Sequence, residues 1–130
     1  MRYKFENKKD IDIKKTDDGL VLKTSSFNPT HIFECGQCFN FRVEDDGSYT
    51  AVFLGKIINV LKRDQDVLIK NIGIDEFYEI FYDYFDLGTD YDLIKEELSS
   101  NETLKVACEY GYGIRILNQD LFETVIPFII

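Results

Sequence analysis

The nine residues Glu34-Cys35-Gly36-Gln37-Cys38-Phe39-Asn40-Phe41-Arg42 hold the densest chemistry in the chain. Two thiols, a glycine, a glutamine and two aromatics follow one another between a polar turn and strand-like sequence. Three chemistries fit these residue types. With His31, the cysteines make an H-x₃-C-x₂-C spacing whose soft sulfur and imidazole donors suit zinc. A structural zinc site needs four ligands, and Cys108, the only other cysteine, reads better as a small thiol on the apolar side of a helix. A C-x-x-C pair can also do redox work where a helix N-terminus lowers the first thiol's pKa. Here a strand follows the motif, so that help is missing. The third reading is a glycine loop, either a plain turn that tolerates positive φ or a place where a ligand meets bare main chain. On the residues alone the two cysteines read as buried fillers, and the two readings of Gly36 stay open.

The elements around the motif are short. Residues 10–15 alternate, with Ile11 and Ile13 on one face, as a half-buried strand does. Asp17-Asp18-Gly19 turns into a second run, Gly19 to Lys23, that can pair with it. Ser25 to Thr30 reads as a polar break containing Pro29, and His31-Ile32-Phe33 as a short apolar lead-in. Runs at 39–43, 49–54, 57–62 and 67–71 are separated by two- to five-residue breaks, the pattern of an antiparallel meander. The period then changes. Phe77, Ile80, Phe81, Tyr84 and Phe85 share one helical face, with Asp75 placed to cap it. A second helix opens at Thr89-Asp90-Tyr91-Asp92 and turns Tyr91, Ile94 and Leu98 inward. A third opens at 99–102 and turns Leu104, Ala107 and Cys108 inward, ending at Gly111 and Gly113. Asp120 and Glu123 start a last helix with Phe122, Val125, Ile126 and Ile129 as its apolar face, kinked by Pro127. Strands first and helices after predict an α+β fold, a twisted antiparallel sheet with helices packed on one face.

At 130 residues the chain is one domain long, and 45% hydrophobic with 30% charged residues fits a soluble, folded protein. The net charge of −9 is opposite to that of a free-standing nucleic-acid binder. Three cysteines, a polar start and no membrane-length apolar run point to the cytoplasm and away from a membrane. The chain closes on Phe128-Ile129-Ile130 without a cap, which predicts the N-terminal piece of something longer. A natural stop codon after Ile130 would contradict that expectation. Left uncovered, Ile126 to Ile130 would favour self-association.

Four segments, in order, carry a family resemblance. Cys35-Gly36-Gln37-Cys38-Phe39 with Arg42 resembles the N-terminal motif of 8-oxoguanine DNA glycosylases. Tyr84-Phe85-Asp86-Leu87 with Tyr91-Asp92 resembles the segment after that domain's helix. Gly113-Ile114-Arg115-Ile116-Leu117 with Gln119-Asp120 is similar to a third motif, and Glu123 with Phe128-Ile129 to the start of the catalytic half. Pro127 in that last helix and Asn40 after Phe39 depart from the family pattern. The resemblance implies a TATA-binding-protein-like N-terminal domain over residues 1–118. Residues 119–130 would begin a helix–hairpin–helix domain that holds the catalytic lysine and aspartate. No residue here matches that pair, so no catalytic residue is assigned, the chain alone is expected to be inactive, and neither metal nor cofactor is implied. The implied partner is DNA containing 8-oxoguanine, met only together with the second half. Gly36 is the implied reader of the damaged base, with Phe39 and Phe128 as pocket walls. The other reading of the chain is a stand-alone acidic α+β binding module. Lys56, Lys62 and Lys70 read as solvated strand-edge charges rather than DNA contacts.

Overall fold

The computed structural model describes residues 11–120 and Val125. Phe128, Pro127 and the apolar end at 126–130 lie outside the described residues, as does nearly all of the expected helix after Asp120. Strands β1 (Asp12–Thr16), β2 (Gly19–Lys23), β3 (Phe41–Val43), β4 (Tyr49–Phe53), β5 (Lys56–Arg63) and β6 (Asp66–Lys70) form one sheet in the order β1-β2-β6-β5-β4-β3. Every neighbouring pair is antiparallel. The meander β3 to β6 and the hairpin β1–β2 are both as the sequence predicts. Their union is not local: Leu20 sits opposite Ile69 and Leu22 opposite Val67.

Alternation sets one face of this sheet. Tyr49 faces Val60, Ala51 faces Ile58, and Val60 in turn faces Ile69, so buried side chains run without a break from β4 to β2. Helices cover that face. A helical run over residues 74–84 is built from α2 (Ile74–Glu76), a π-helical turn (Phe77–Phe81) and α3 (Tyr82–Tyr84). The wide turn is marked by the bond from Tyr82 N–H to Phe77 O. It aims Phe77, Phe81, Tyr84 and Phe85 at the sheet, all of them fully buried. Phe53 packs on Tyr84 with ring centroids 4.3 Å apart, and Phe33 stacks on Tyr49 at 5.4 Å. Such aromatic pairs add about 0.5–1.5 kcal/mol each beyond the area they bury. Gly73, not Asp75, occupies the N-cap.

Three expectations change. Residues 29–33 form helix α1 (Pro29–Phe33), not a break and a lead-in. Asn28 caps it by accepting from Thr30 N–H at 3.0 Å, and Pro29 takes the first helical position, where no amide is needed. Helices α4 (Tyr91–Leu98) and α5 (Glu102–Tyr110) form where expected, capped by Asp90 and Asn101. However, neither buries a residue: Ile94, Leu98, Leu104 and Ala107 are exposed, and Cys108 is half-buried. Lys56, Lys62 and Lys70 lie on interior strands, not edges, and Lys56 pairs with Glu76 at 3.0 Å. Among the described residues no helix is long and apolar enough to cross a membrane.

Candidate functional site

After α1 the chain makes an irregular loop, residues 34–40, before entering β3. Gly36 lies on its exposed side with φ +91°, a conformation that a residue with a side chain rarely adopts. Among the described residues nothing lies within 4 Å of where a β-carbon would stand, so the restriction to glycine comes from the backbone rather than from crowding by them. Among the described residues, none hydrogen-bonds to the Gly36 main chain. Gly36 is exposed, and its carbonyl has no hydrogen-bond donor among the described residues. Phe39, three residues on, is 53% exposed and takes no part in the core. Cys38 is buried, its sulfur 3.8 Å from the Tyr84 hydroxyl, and fills space as a small apolar residue does. Cys35 is exposed, contrary to its reading as a buried filler. Its thiol donates to Ile32 O at 3.4 Å. None of the three cysteines is in a disulfide, and the described residues contain no group of three His, Cys, Asp or Glu side chains able to hold a metal ion. His31 instead accepts from Gly113 N–H through Nδ1 at 3.2 Å.

What holds the loop comes from the far end of the chain. Residues 111–113 turn and the chain then runs on without regular secondary structure to residue 119, with Gly113, Arg115 and Leu117 buried while Tyr112, Ile114 and Ile116 are exposed. Hydropathy alone would bury the two isoleucines and expose the arginine. The inversion has a specific cause. The Arg115 guanidinium donates to the carbonyls of Ser26 (2.8 Å), Asp86 (3.0 Å) and Ser25 (3.2 Å) and stacks on the Tyr91 ring at 4.6 Å. Burial pulls its pKa down from the ordinary value, yet a guanidinium stays protonated at physiological pH. The same two serines hold Asp92 from the other side, through the Ser26 hydroxyl at 2.6 Å and the Ser25 hydroxyl. Those bonds hold the Asp92 carboxyl below the usual carboxylate range. A cation and an anion thus grip Ser25-Ser26 between them, and Ser26 is kept at φ +54°.

The 112–119 segment also passes hard against α1. A β-carbon on Gly113 would stand 2.3 Å from Asn28 Cβ, and Asn28 N–H bonds Gly113 O at 3.0 Å. From this position the segment presents Arg115 O and Leu117 N–H to Gln37. The Gln37 amide donates to Arg115 O (2.7 Å) and Ile32 O (3.0 Å), and its Oε1 accepts from Leu117 N–H (2.9 Å). In return the Gln119 side-chain amide donates to the Gln37 carbonyl. Sequence reasoning gave no separate role to Gln37, Arg115 or Gln119. Their only signal was membership of the first and third motifs.

Residues 19–125 match the family described as 8-oxoguanine DNA glycosylase, N-terminal domain. The chain belongs to this family. Its fold agrees with solved members. It is similar to the Clostridium acetobutylicum 8-oxoguanine glycosylase/lyase in its apo-form, at 40% identity and a TM-score of 0.85. That likeness covers 93% of this chain and 43% of the relative's. The same relative solved with duplex DNA containing cytosine opposite 8-oxoguanine matches at 40% identity and a TM-score of 0.85, over 93% of this chain and 42% of that one. MBOgg1 in complex with a low-affinity DNA ligand matches at 41% identity and a TM-score of 0.85, again over 93% and 42%. The chain thus spans less than half the length of these glycosylases. No curated protein matches it. As an 8-oxoguanine glycosylase N-terminal domain, the chain has the α+β architecture that strands followed by helices predicted.

Proposed function

We propose that this domain supplies the base-reading side of an enzyme that excises 8-oxoguanine from DNA, and that the Gly36 carbonyl is the group that reads the lesion. The observation that carries this is the exposed Gly36, held at positive φ and without a hydrogen-bond partner among the described residues, in a chain of this family. Its chemistry fits the substrate. N7 of guanine accepts hydrogen bonds. In 8-oxoguanine N7 carries a proton and donates. A fixed carbonyl facing N7 therefore attracts the oxidised base and repels the normal one, and a site built around such a bond rejects its analogue strongly. The base would be read after flipping out of the duplex, because N7 must come within hydrogen-bond distance of a loop on the protein surface. Phe39 stands exposed beside this loop and is proposed as an apolar wall, with Phe128 in the same role.

The covalent chemistry is assigned to the second half of the enzyme, where a lysine would attack the sugar. In support, relatives that carry the glycosylase/lyase description extend to more than twice the length of this chain. The acidic charge of −9 fits a half that shapes a pocket while its partner grips phosphate. Borohydride trapping on a duplex containing 8-oxoguanine tests the division of labour. Residues 1–130 alone should yield no covalent complex, and the complete gene product should yield one. Trapping by the 130-residue chain would overturn this assignment. Gly36→Ala in the complete gene product should lower the preference for the lesion over guanine by on the order of 10-fold, the worth of one well-placed hydrogen bond. An unchanged preference would remove Gly36 from the role.

A further inference from the structure

We infer that Gln37 is a positioning residue, which with Gln119 holds the Gly36 carbonyl in the orientation needed to meet a base. The inference rests on the reading of Gly36 given above. The difficulty it resolves is physical. Glycine is the most permissive residue in the backbone, and none of the described residues hydrogen-bonds to Gly36. A free glycine loop would point its carbonyl many ways and discriminate poorly. The carbonyl of residue 36 and the amide of residue 37 share one peptide plane, so immobilising Gln37 fixes the direction of that carbonyl.

Gln37 is immobilised on all sides. Both hydrogens of its side-chain amide are used, one on Ile32 O at the end of α1 and one on Arg115 O across the domain. Its Oε1 takes Leu117 N–H. Turning the amide over would set its oxygen against two carbonyls, so the pattern allows one orientation only. The main chain is held as well, since Gln119 donates to the Gln37 carbonyl. Within the loop, buried Cys38 beside Tyr84 anchors the side leading to β3. The target of the clasp is itself stiff: Arg115 is locked on three carbonyls and Asn118 N–H bonds Tyr84 O at 3.0 Å. Residue 37 thus transmits the rigidity of a buried segment to an exposed peptide that has none of its own.

The test uses the complete gene product with Gln37→Met and Gln119→Met, and Gln65→Met in the exposed β5–β6 turn as control. Methionine fills a similar volume but makes none of the hydrogen bonds. Two reactions are compared under single turnover: excision of 8-oxoguanine, and strand cleavage at a preformed abasic site, which offers no base to read. Gln37→Met should slow excision by on the order of 100-fold, the usual consequence of an ångström-scale misplacement. It should leave abasic-site cleavage within about two-fold, because no interaction used in that step is removed. Gln119→Met should fall between, and Gln65→Met should match wild type. Hydrogen exchange of amides 35–38 should quicken in both clasp variants. If excision and abasic cleavage decline together, Gln37 only supports the fold and the inference fails. It also fails if excision or loop exchange is unchanged. A wild-type enzyme that cleaves abasic sites without excising 8-oxoguanine would instead refute the parent reading of Gly36, and the positioning role with it.

Discussion

Replacing Arg115 by methionine is the most direct challenge to the architecture behind the loop. The guanidinium satisfies three carbonyls at 2.8, 3.0 and 3.2 Å and lies 4.6 Å from the Tyr91 ring centroid. Hydrogen bonds to a charged group contribute about 1.5–3 kcal/mol each, and a desolvated cation over an aromatic ring about 2 kcal/mol. Two effects offset that sum. Removing a buried charge that pairs with no carboxylate among the described residues recovers desolvation energy. The neighbouring cavity of about 210 Å³, lined by Ser25, Leu87, Tyr91 and Asp92 among others, lets water reach the abandoned carbonyls. The expected net loss is about 3–5 kcal/mol, the usual cost of removing one partner of a buried charged network. A chain of this length has roughly 7–20 kcal/mol in total. In urea, followed by far-UV circular dichroism, the midpoint should fall by roughly 2 M at a typical slope for this size. Arg115→Lys should recover less than half of the loss, because an ammonium cannot span three carbonyls laid out for a planar fork. A midpoint shift below roughly 0.5 M for the methionine variant would refute the reasoning and show that the 112–119 segment is held by other means.

Gly113→Ala drives a β-carbon into Asn28 at 2.3 Å, and should lower Tm by roughly 5–15 °C in a thermal scan. Asp92 has a folded pKa below its unfolded one, so its contribution to stability is complete above pH of about 4 and is lost as pH falls through the folded value. Asp92→Asn should therefore flatten the acid limb of Tm against pH relative to wild type, and an unchanged limb would count against the Ser25-Ser26 grip. Phe39→Ala should change stability by less than about 1 kcal/mol in urea, as for a surface residue, while lowering excision by the complete gene product. A loss of about 3–5 kcal/mol would mean that Phe39 packs in the core after all.

The sheet was legible because its signals are local. The two-residue break read at Gly55-Lys56 and alternating runs such as Tyr49 to Leu54 place β4 to β6 within a residue or so of their observed bounds. Helix α1 was missed because five residues are too few to show a 3.6-residue period, although Asn28-Pro29 is a cap signal. For α4 and α5 the periodicity correctly groups Ile94 with Leu98 and locates Leu104, but a shared face is not a covered face. Among the site residues, the backbone freedom of Gly36 could be read from its type. The clasp could not. Gln37 and Leu117 are 80 positions apart, and no pattern within a window of sequence carries a hydrogen bond of that span. Arg115 was hidden more deeply still, since Ile114 and Ile116 on either side point the hydropathy the wrong way.

That span has a consequence for how the domain is made. The contacts that fix residue 37 reach across 78, 80 and 82 positions, so closing this loop carries a large entropic cost that local structure cannot offset early. The helix–loop at 29–40 leaves the ribosome long before residues 115–119 exist to hold it. The clasp can close only after residues 115–119 have been made, by which time the strands and the helical run at 74–84 have already been synthesised. The loop assigned to reading the base is therefore among the last parts to become ordered during synthesis, and its order reports that the rest of the domain is complete.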